Sequence, residues 1–281
     1  MRHIRPFALA AAACLVAAAC SNDLTTSPDA ARNPADGARH IVNGTYTGSS
    51  FGNVGALLID FNQNGKVDGD DEDCTGSLIS PTVFLTAAHC VEFLPAGTQV
   101  YVSFEPKLYP TPKTYIKATG WTYDPQYGHD QANLHDLAVV FLPANSTKGV
   151  TPLKLPPAGY LDQLQAQGGL NNTLFVNVGY GTSASRTGVP SFSYDGTRKF
   201  SKSEYMALQP YWLGLLMNTS ATGEGGDCYG DSGGPKFIDG QFDMIVATVT
   251  TGDYNCRATT WDYRLDTDSA RGFLGQFVRL P

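Results

Sequence analysis

Short runs of alternating or continuous apolar residues, each stopped by a cluster of turn residues, constrain this chain more than any other feature. They occupy residues 54–61, 74–79, 83–87, 99–104, 115–121, 136–142, 174–178 and 242–250. A period of two puts side chains alternately on the two faces of a strand, and the Gly, Pro, Asn and Asp between runs suit turns joining antiparallel neighbours. Composition agrees. With 30 Gly and only 16% charged residues the chain is neither a coiled coil nor disordered, and 281 residues can bury one or two cores without a dense disulfide framework. The expected class is all-β, a barrel or a sandwich. One helix stands out, at the C-terminus, with Phe273, Leu274, Phe277 and Val278 on one face after a cap at Asp268 or Ser269.

The longest apolar run, residues 7–19, is too short to cross a bilayer and suits the core of an export signal, flanked by Arg2, His3 and Arg5. It leads through Ala17-Ala18-Ala19 into Cys20, which resembles a bacterial lipoprotein signal whose cysteine is acylated; two or more acyl chains anchor a protein firmly. An ordinary secretory signal cut after an Ala-x-Ala site is the alternative, and either one exports the chain. Residues 20–40, rich in Ser, Thr, Asn, Asp, Ala and Pro, read as a tether or propeptide, so the ordered domain begins near Ile41. The net charge is −7, and −8 from residue 41 onward, with no dense Lys/Arg run. Nucleic acid is therefore not an expected partner.

Three segments carry chemistry: Leu85-Thr86-Ala87-Ala88-His89-Cys90, His135-Asp136-Leu137-Ala138-Val139-Val140, and Gly230-Asp231-Ser232-Gly233-Gly234-Pro235. A serine hydroxyl is a weak nucleophile near neutral pH and needs a base within hydrogen-bond reach, which His89 can supply. Asp136 can fix the imidazole tautomer that accepts the serine proton. Each segment alone also fits a bland structural role. Together, in the order His, Asp, Ser and separated by 47 and 96 residues, they closely resemble the catalytic motifs of the chymotrypsin-like, or trypsin-type, serine peptidases.

That resemblance runs from Ile41 to the terminal helix. It implies two antiparallel six-stranded Greek-key barrels, an N-terminal one over residues 41–155 and a C-terminal one over 156–281, with the active site in the cleft between them. It implies catalytic His89, Asp136 and Ser232, and an oxyanion hole built from the N–H groups of Gly230 and Ser232. Gly179-Tyr180-Gly181 resembles a motif of the second barrel, and Tyr263-Arg264-Leu265 its last strand. Cys74, Cys90, Cys228 and Cys256 alone allow three pairings; the resemblance selects Cys74–Cys90 beside the histidine and Cys228–Cys256 beside the specificity pocket. Ile41-Val42-Asn43-Gly44 resembles the N-terminus released by activation cleavage, whose α-amino group pairs with the Asp before the nucleophile, here Asp231. The preceding His40 departs from a simple tryptic cut. Around the specificity pocket the expected residues are Gly226, Asp227, Thr250, Gly252 and Trp261. Gly226 stands where trypsin-like members have Asp, Asp227 is shifted by one and could still accept a basic side chain, and Trp261 falls where a bulky residue would shorten the pocket.

Residues 60–71 form a separate motif. Asp60, Asn62, Asn64, Asp68 and Asp71 occupy positions 1, 3, 5, 9 and 12 of an EF-hand-type calcium loop, with Lys66 at the carbonyl position and Gly65 at the turn. A structural calcium is one expectation here, and a solvated hairpin turning at Asn64-Gly65 the other. Catalysis itself requires no cofactor. The expected protein is a monomeric, exported serine endopeptidase acting on protein or peptide, lipid-anchored at a bacterial membrane or surface or else secreted or periplasmic; the alternatives are a silent binding module of the same fold and an esterase using the same triad.

Overall fold

The computed structural model describes residues 41–185 and 188–281. The export signal, Cys20 and the tether expected over 1–40 lie outside the described residues. After a two-residue strand β1 (Thr45–Tyr46), seven strands make the first sheet: β2 (Val54–Leu58), β3 (Glu72–Ser80), β4 (Val83–Thr86), β5 (Tyr101–Ser103), β6 (Ile116–Lys117), β7 (Gly120–Tyr123) and β8 (Ala138–Phe141). They lie in the spatial order β6-β5-β2-β3-β4-β8-β7, and every pairing is antiparallel. The end strands are not paired with one another, so this first barrel is an open half-barrel.

The second sheet closes. It contains β9 (Leu174–Gly179), β12 (Lys199–Leu208), β13 (Trp212–Leu216), β14 (Pro235–Ile238), β15 (Ala247–Gly252) and β16 (Thr259–Arg264), and the β9–β12 pairing completes a six-stranded ring. A small hairpin, β10 (Ser183–Ala184) with β11 (Phe192–Ser193), stands outside both sheets. β1 belongs to the N-terminal half in sequence yet adds to β12 of the second sheet, with Thr45 opposite Phe200. The two-barrel expectation thus holds, with the strands divided less evenly than six and six.

Three short helices accompany the strands: α1 (Tyr160–Ala166), α2 (Thr219–Thr222) and α3 (Asp268–Leu274). The cap of α3 is Thr267, one residue before the expected positions, and its hydroxyl accepts from the Ala270 N–H. Helix α1 was not legible in the sequence, because its first turn is satisfied from far away: Asp266 Oδ2 accepts the Leu161 N–H at 2.7 Å. Among the described residues no helix is long and apolar enough to cross a membrane.

The largest apolar cluster lies between the barrels. Val54, Leu85 and Val139 from the first meet Val176, Phe237 and Tyr263 from the second, and Phe273 and Leu274 of α3 close one end. Complete burial of a side chain of this size contributes roughly 1.5–3 kcal/mol, so this seam holds the two halves of the cleft in fixed relation. The interior of the second barrel is different. Asn177, Ser201, Ser203, Lys236 and Asp262 are all buried there.

Candidate active site

His89 sits in a single 3-10 turn, Ala88–Cys90, directly after β4. The Cys74–Cys90 disulfide ties that turn to β3. Asp136 precedes β8, the neighbour of β4, and is fully buried. An ionised carboxylate in that position needs donors, and His89 supplies two: its backbone N–H to Oδ1 at 2.9 Å and its Nδ1 to Oδ2 at 2.8 Å. With the proton on Nδ1, the lone pair on Nε2 is left to act as a base. Burial opposes protonation of His89, but the Asp136 hydrogen bond and the charges of Asp136, Asp73 and Glu92 outweigh it and hold the imidazole above its ordinary value of 6.5.

The backbone before Asp136 is held from behind. His135 adopts φ +58°, an uncommon conformation for a residue with a side chain. Its Nδ1 donates to Asp124 Oδ2 at 2.9 Å, and its Nε2 accepts from Asn133 Nδ2 at 2.9 Å. Tyr263 of the second barrel donates to Asn133 Oδ1 at 2.6 Å, so the Asp136 loop is braced across the cleft.

Ser232 comes from the loop between β13 and β14 and lines one cleft with His89. Its carbonyl accepts from the Thr75 N–H at 2.9 Å, while the Gly233 N–H donates to Val249 and the Gly234 N–H to Asp231, each at 2.8 Å. Gly233 has φ +75°, and a Cβ there would lie 2.6 Å from the Ala87 nitrogen, so only glycine fits. Gly230 has φ +94°, and a Cβ would meet the Gly181 Cα at 2.9 Å and the Glu72 carboxylate at 3.1 Å. Its carbonyl is turned inward to accept from Thr75 Oγ1 at 2.9 Å. Among the described residues neither the Gly230 nor the Ser232 N–H has a protein acceptor.

Asp231 is buried against Gly181, whose N–H donates to Oδ1 at 2.9 Å; the Cys228 N–H donates to Oδ2 at 2.8 Å. Ile41 is buried too, and Val42 exchanges backbone hydrogen bonds with Gly226 at 3.0 and 3.1 Å. Among the described residues no hydrogen bond joins Ile41 to Asp231. Burial, followed by the charge of Asp227, pushes Asp231 up to about 8.

The specificity side of the cleft, with a volume of about 330 Å³, is lined by Met217, Asp227, Val249, Thr250, Thr251, Gly252 and Thr260 together with the Cys228–Cys256 disulfide. Two sequence expectations need correction here. Trp261 is turned away from the cavity and lies over Gly214, where a Cβ would meet its ring at 2.7 Å; alternation along β16 presents Thr260 and Asp262 on the other face. Gly226 is not a lining residue; it serves as the backbone partner of Val42 and leaves room for Met217. Asp227 does line the cavity, and its Oδ2 is engaged by Lys236. Met217, Thr260 and Lys236 were missed because no local motif marks them; only the register of β13, β14 and β16 brings them together.

The 60–71 loop folds on itself. Asp60 accepts from the N–H groups of Asn64 at 3.0 Å and Gly65 at 2.9 Å, Asn62 from Asn64 at 3.0 Å, Asn64 from Lys66 at 2.7 Å, and Asp71 from Asp68 at 3.0 Å. These bonds are Asx turns and a cap. Among the described residues, three potential metal ligands come together only at Cys74, His89 and Cys90, and those two cysteines are disulfide-bonded. Of the expected calcium set of Asp60, Asn62, Asn64, Lys66, Asp68 and Asp71, the three carboxylates Asp60, Asp68 and Asp71 do not come together within 4.8 Å of one another.

The family model described as Trypsin matches residues 60–263 of the chain. A snake venom serine protease, serpentokallikrein-1 of Protobothrops mucrosquamatus, is 28% identical over 191 residues covering 62% of this chain; the chain spans 65% of that relative, just under two thirds of its length. Among solved structures, HL collagenase superposes with a TM-score of 0.58 at 20% identity, covering 84% of this chain and 97% of its own. Human heparin binding protein does so with 0.59 at 19%, covering 85% and 96%. At such identities these structures speak for the fold, the same pair of barrels with a C-terminal helix.

Proposed function

Because the chain belongs to the trypsin family, we propose that it is a serine endopeptidase that hydrolyses peptide bonds through an acyl-enzyme on Ser232. The observation that supports this reading most is the His89–Asp136 pair, doubly bonded at 2.8 and 2.9 Å, opening on the same cleft as Ser232. His89 Nε2 takes the proton of Ser232 Oγ as that oxygen adds to the substrate carbonyl, and Asp136 stabilises the imidazolium that forms. The carbonyl oxygen becomes an oxyanion and is met by the N–H groups of Gly230 and Ser232; one such donor is worth about 3 kcal/mol in the transition state. His89 returns the proton to the departing amine. Water then repeats the sequence on the ester and frees Ser232.

Cleavage before Ile41 would supply Asp231 with the cation its buried carboxylate lacks, and so order the oxyanion loop in the active enzyme. Cys74–Cys90 and Cys228–Cys256 suit an oxidising compartment, and acylation of Cys20 would tether the enzyme there. A binding module of the same fold is the rival reading, since one structure of similar fold is named for heparin binding. It is disfavoured here by the net charge of −8 from residue 41 onward and the lack of a basic run, which give a polyanion nothing complementary to meet.

The direct test is to express the full chain with export, incubate it with a denatured protein and map new termini by mass spectrometry. New internal termini from the wild type and none from Ser232→Ala are expected. A folded chain already starting at Ile41 that generates no new termini would contradict the peptidase reading.

A further inference from the structure

Beneath the floor of the specificity cavity lies a buried ion network that the proposed mechanism does not use. Lys236, on β14, is fully buried inside the closed barrel. Its Nζ pairs with Asp227 Oδ2, donates to Asn177 Oδ1 at 2.7 Å and lies 3.4 Å from Asp262 Oδ1. Two of the three ammonium hydrogens go to Asp227 and Asn177, and Asp262 lies within ion-pair range of the third. Asn177 cannot turn to release its share, because its amide N–H groups donate to Ser201 at 3.1 Å and Ser203 at 2.8 Å. The ammonium is fixed in place, and stripping a partner from a buried charge is strongly unfavourable.

Two carboxylates line the cavity, Asp227 and Asp253; Asp253 accepts from the backbone N–H groups of Arg257, Ala258 and Thr259, and Asp227 by itself would attract a cationic side chain. One of its oxygens is committed to Lys236. The other, Oδ1, has no partner and exposes less than 1 Å² to solvent, so nothing entering from the cleft touches it. What a side chain entering from the cleft does meet is Met217, Val249, Gly252 and the Cys228–Cys256 disulfide, with the Thr260 hydroxyl already donated to Asp262 or Thr251.

We propose that Lys236 sets the specificity of this pocket: it neutralises Asp227 from inside the barrel, where a substrate lysine or arginine would do so from the cleft. The pocket therefore accepts an uncharged, apolar side chain at the residue whose carbonyl is attacked, and rejects Lys and Arg. The substrate statement rests on the peptidase reading; the charge occupancy of the pocket does not, and can be tested without catalysis.

The probe is p-aminobenzamidine, a flat cation that mimics an arginine side chain and brightens when it enters a pocket. Titrated into the exported full chain, it should show no saturable binding to the wild type. Lys236→Met should bind it saturably, with an apparent Kd at least about 100-fold below the highest concentration at which the wild type shows none, as should Lys236→Met combined with Asp262→Leu, which removes both barrel-side groups and leaves Asp227 alone beneath the floor. Saturable binding to the wild type, or its absence in a variant whose near-ultraviolet circular dichroism is native, overturns the proposal. If neither variant folds, the wild type still decides through its cleavage sites in a denatured protein: cuts after apolar residues support the proposal, and cuts after Lys or Arg overturn it. Failure of the peptidase reading shows up separately, as a Ser232 that no fluorophosphonate labels while the benzamidine results stand.

Discussion

His89 must be neutral to accept the serine proton, so the acid limb of kcat/KM against pH reports its ionisation. The Asp136 hydrogen bond and the anions around it hold that ionisation above the ordinary histidine value, and activity should fall on acidification at a pH higher than 6.5. Asp73, itself pushed up to about 6 by burial, is one of those anions. Asp73→Asn removes a charge that stabilises the imidazolium; the limb should move to lower pH, and an unchanged profile would show that Asp73 is not electrically coupled to His89. Asp136→Asn should lower kcat by about 10⁴, because the amide would favour the wrong tautomer of the imidazole. The three residues proposed as catalytic were readable because each lies inside a short run with chemical sense: a base, an orienting acid and a nucleophile between small residues. The pocket was less legible, since the partner of Asp227, Lys236, sits nine positions away, on β14.

At the level of elements, two strands escaped the apolar pattern because their inward faces are polar. β12, the longest strand, turns Ser201 and Ser203 into the barrel, and a serine-lined face carries no hydrophobic alternation to find. β14 hides in the same way, with Lys236 inward where a sequence reading looks for an aliphatic residue. Helix α1 escaped notice because Asp266, more than a hundred residues later, supplies its cap. The terminal helix was legible from its apolar stripe, but its cap was misplaced by one, since Thr267, Asp268 and Ser269 are all good capping types and only geometry chooses among them. Thr267→Ala should cost about 1 kcal/mol. For a domain of this size that lowers the thermal midpoint by about 2–4 °C, and Asp268→Ala should cost less.

For the molecule as a whole, buried carboxylates shape how stability responds to pH, Asp262 and Asp231 among them with Glu72. Burial pushes Asp262 up to about 8 against the pull of Lys236, and burial with the charge of Asp227 does the same for Asp231. In the unfolded chain both lose their protons near 3.8, whereas the folded chain keeps them to about 8, so the folded state binds more protons across that interval. Their contribution is full below pH 3.8 and lost as pH rises toward 8. The thermal midpoint of Asp262→Asn should therefore decline less between pH 5 and 8 than that of the wild type, and chains cleaved before Ile41 should decline less than uncut ones because the new α-amino group gives Asp231 a cation. Equal slopes in all three would remove both carboxylates from the explanation.

The central claim, that this fold holds an activated serine, is tested most directly by intact-mass analysis of the exported chain after exposure to a fluorophosphonate, beside Ser232→Ala. A single adduct on the wild type, lost in the variant, is the expected result, with the same spectrum showing whether the chain begins at Ile41. A wild-type chain that begins at Ile41, is folded, and carries no adduct would contradict it.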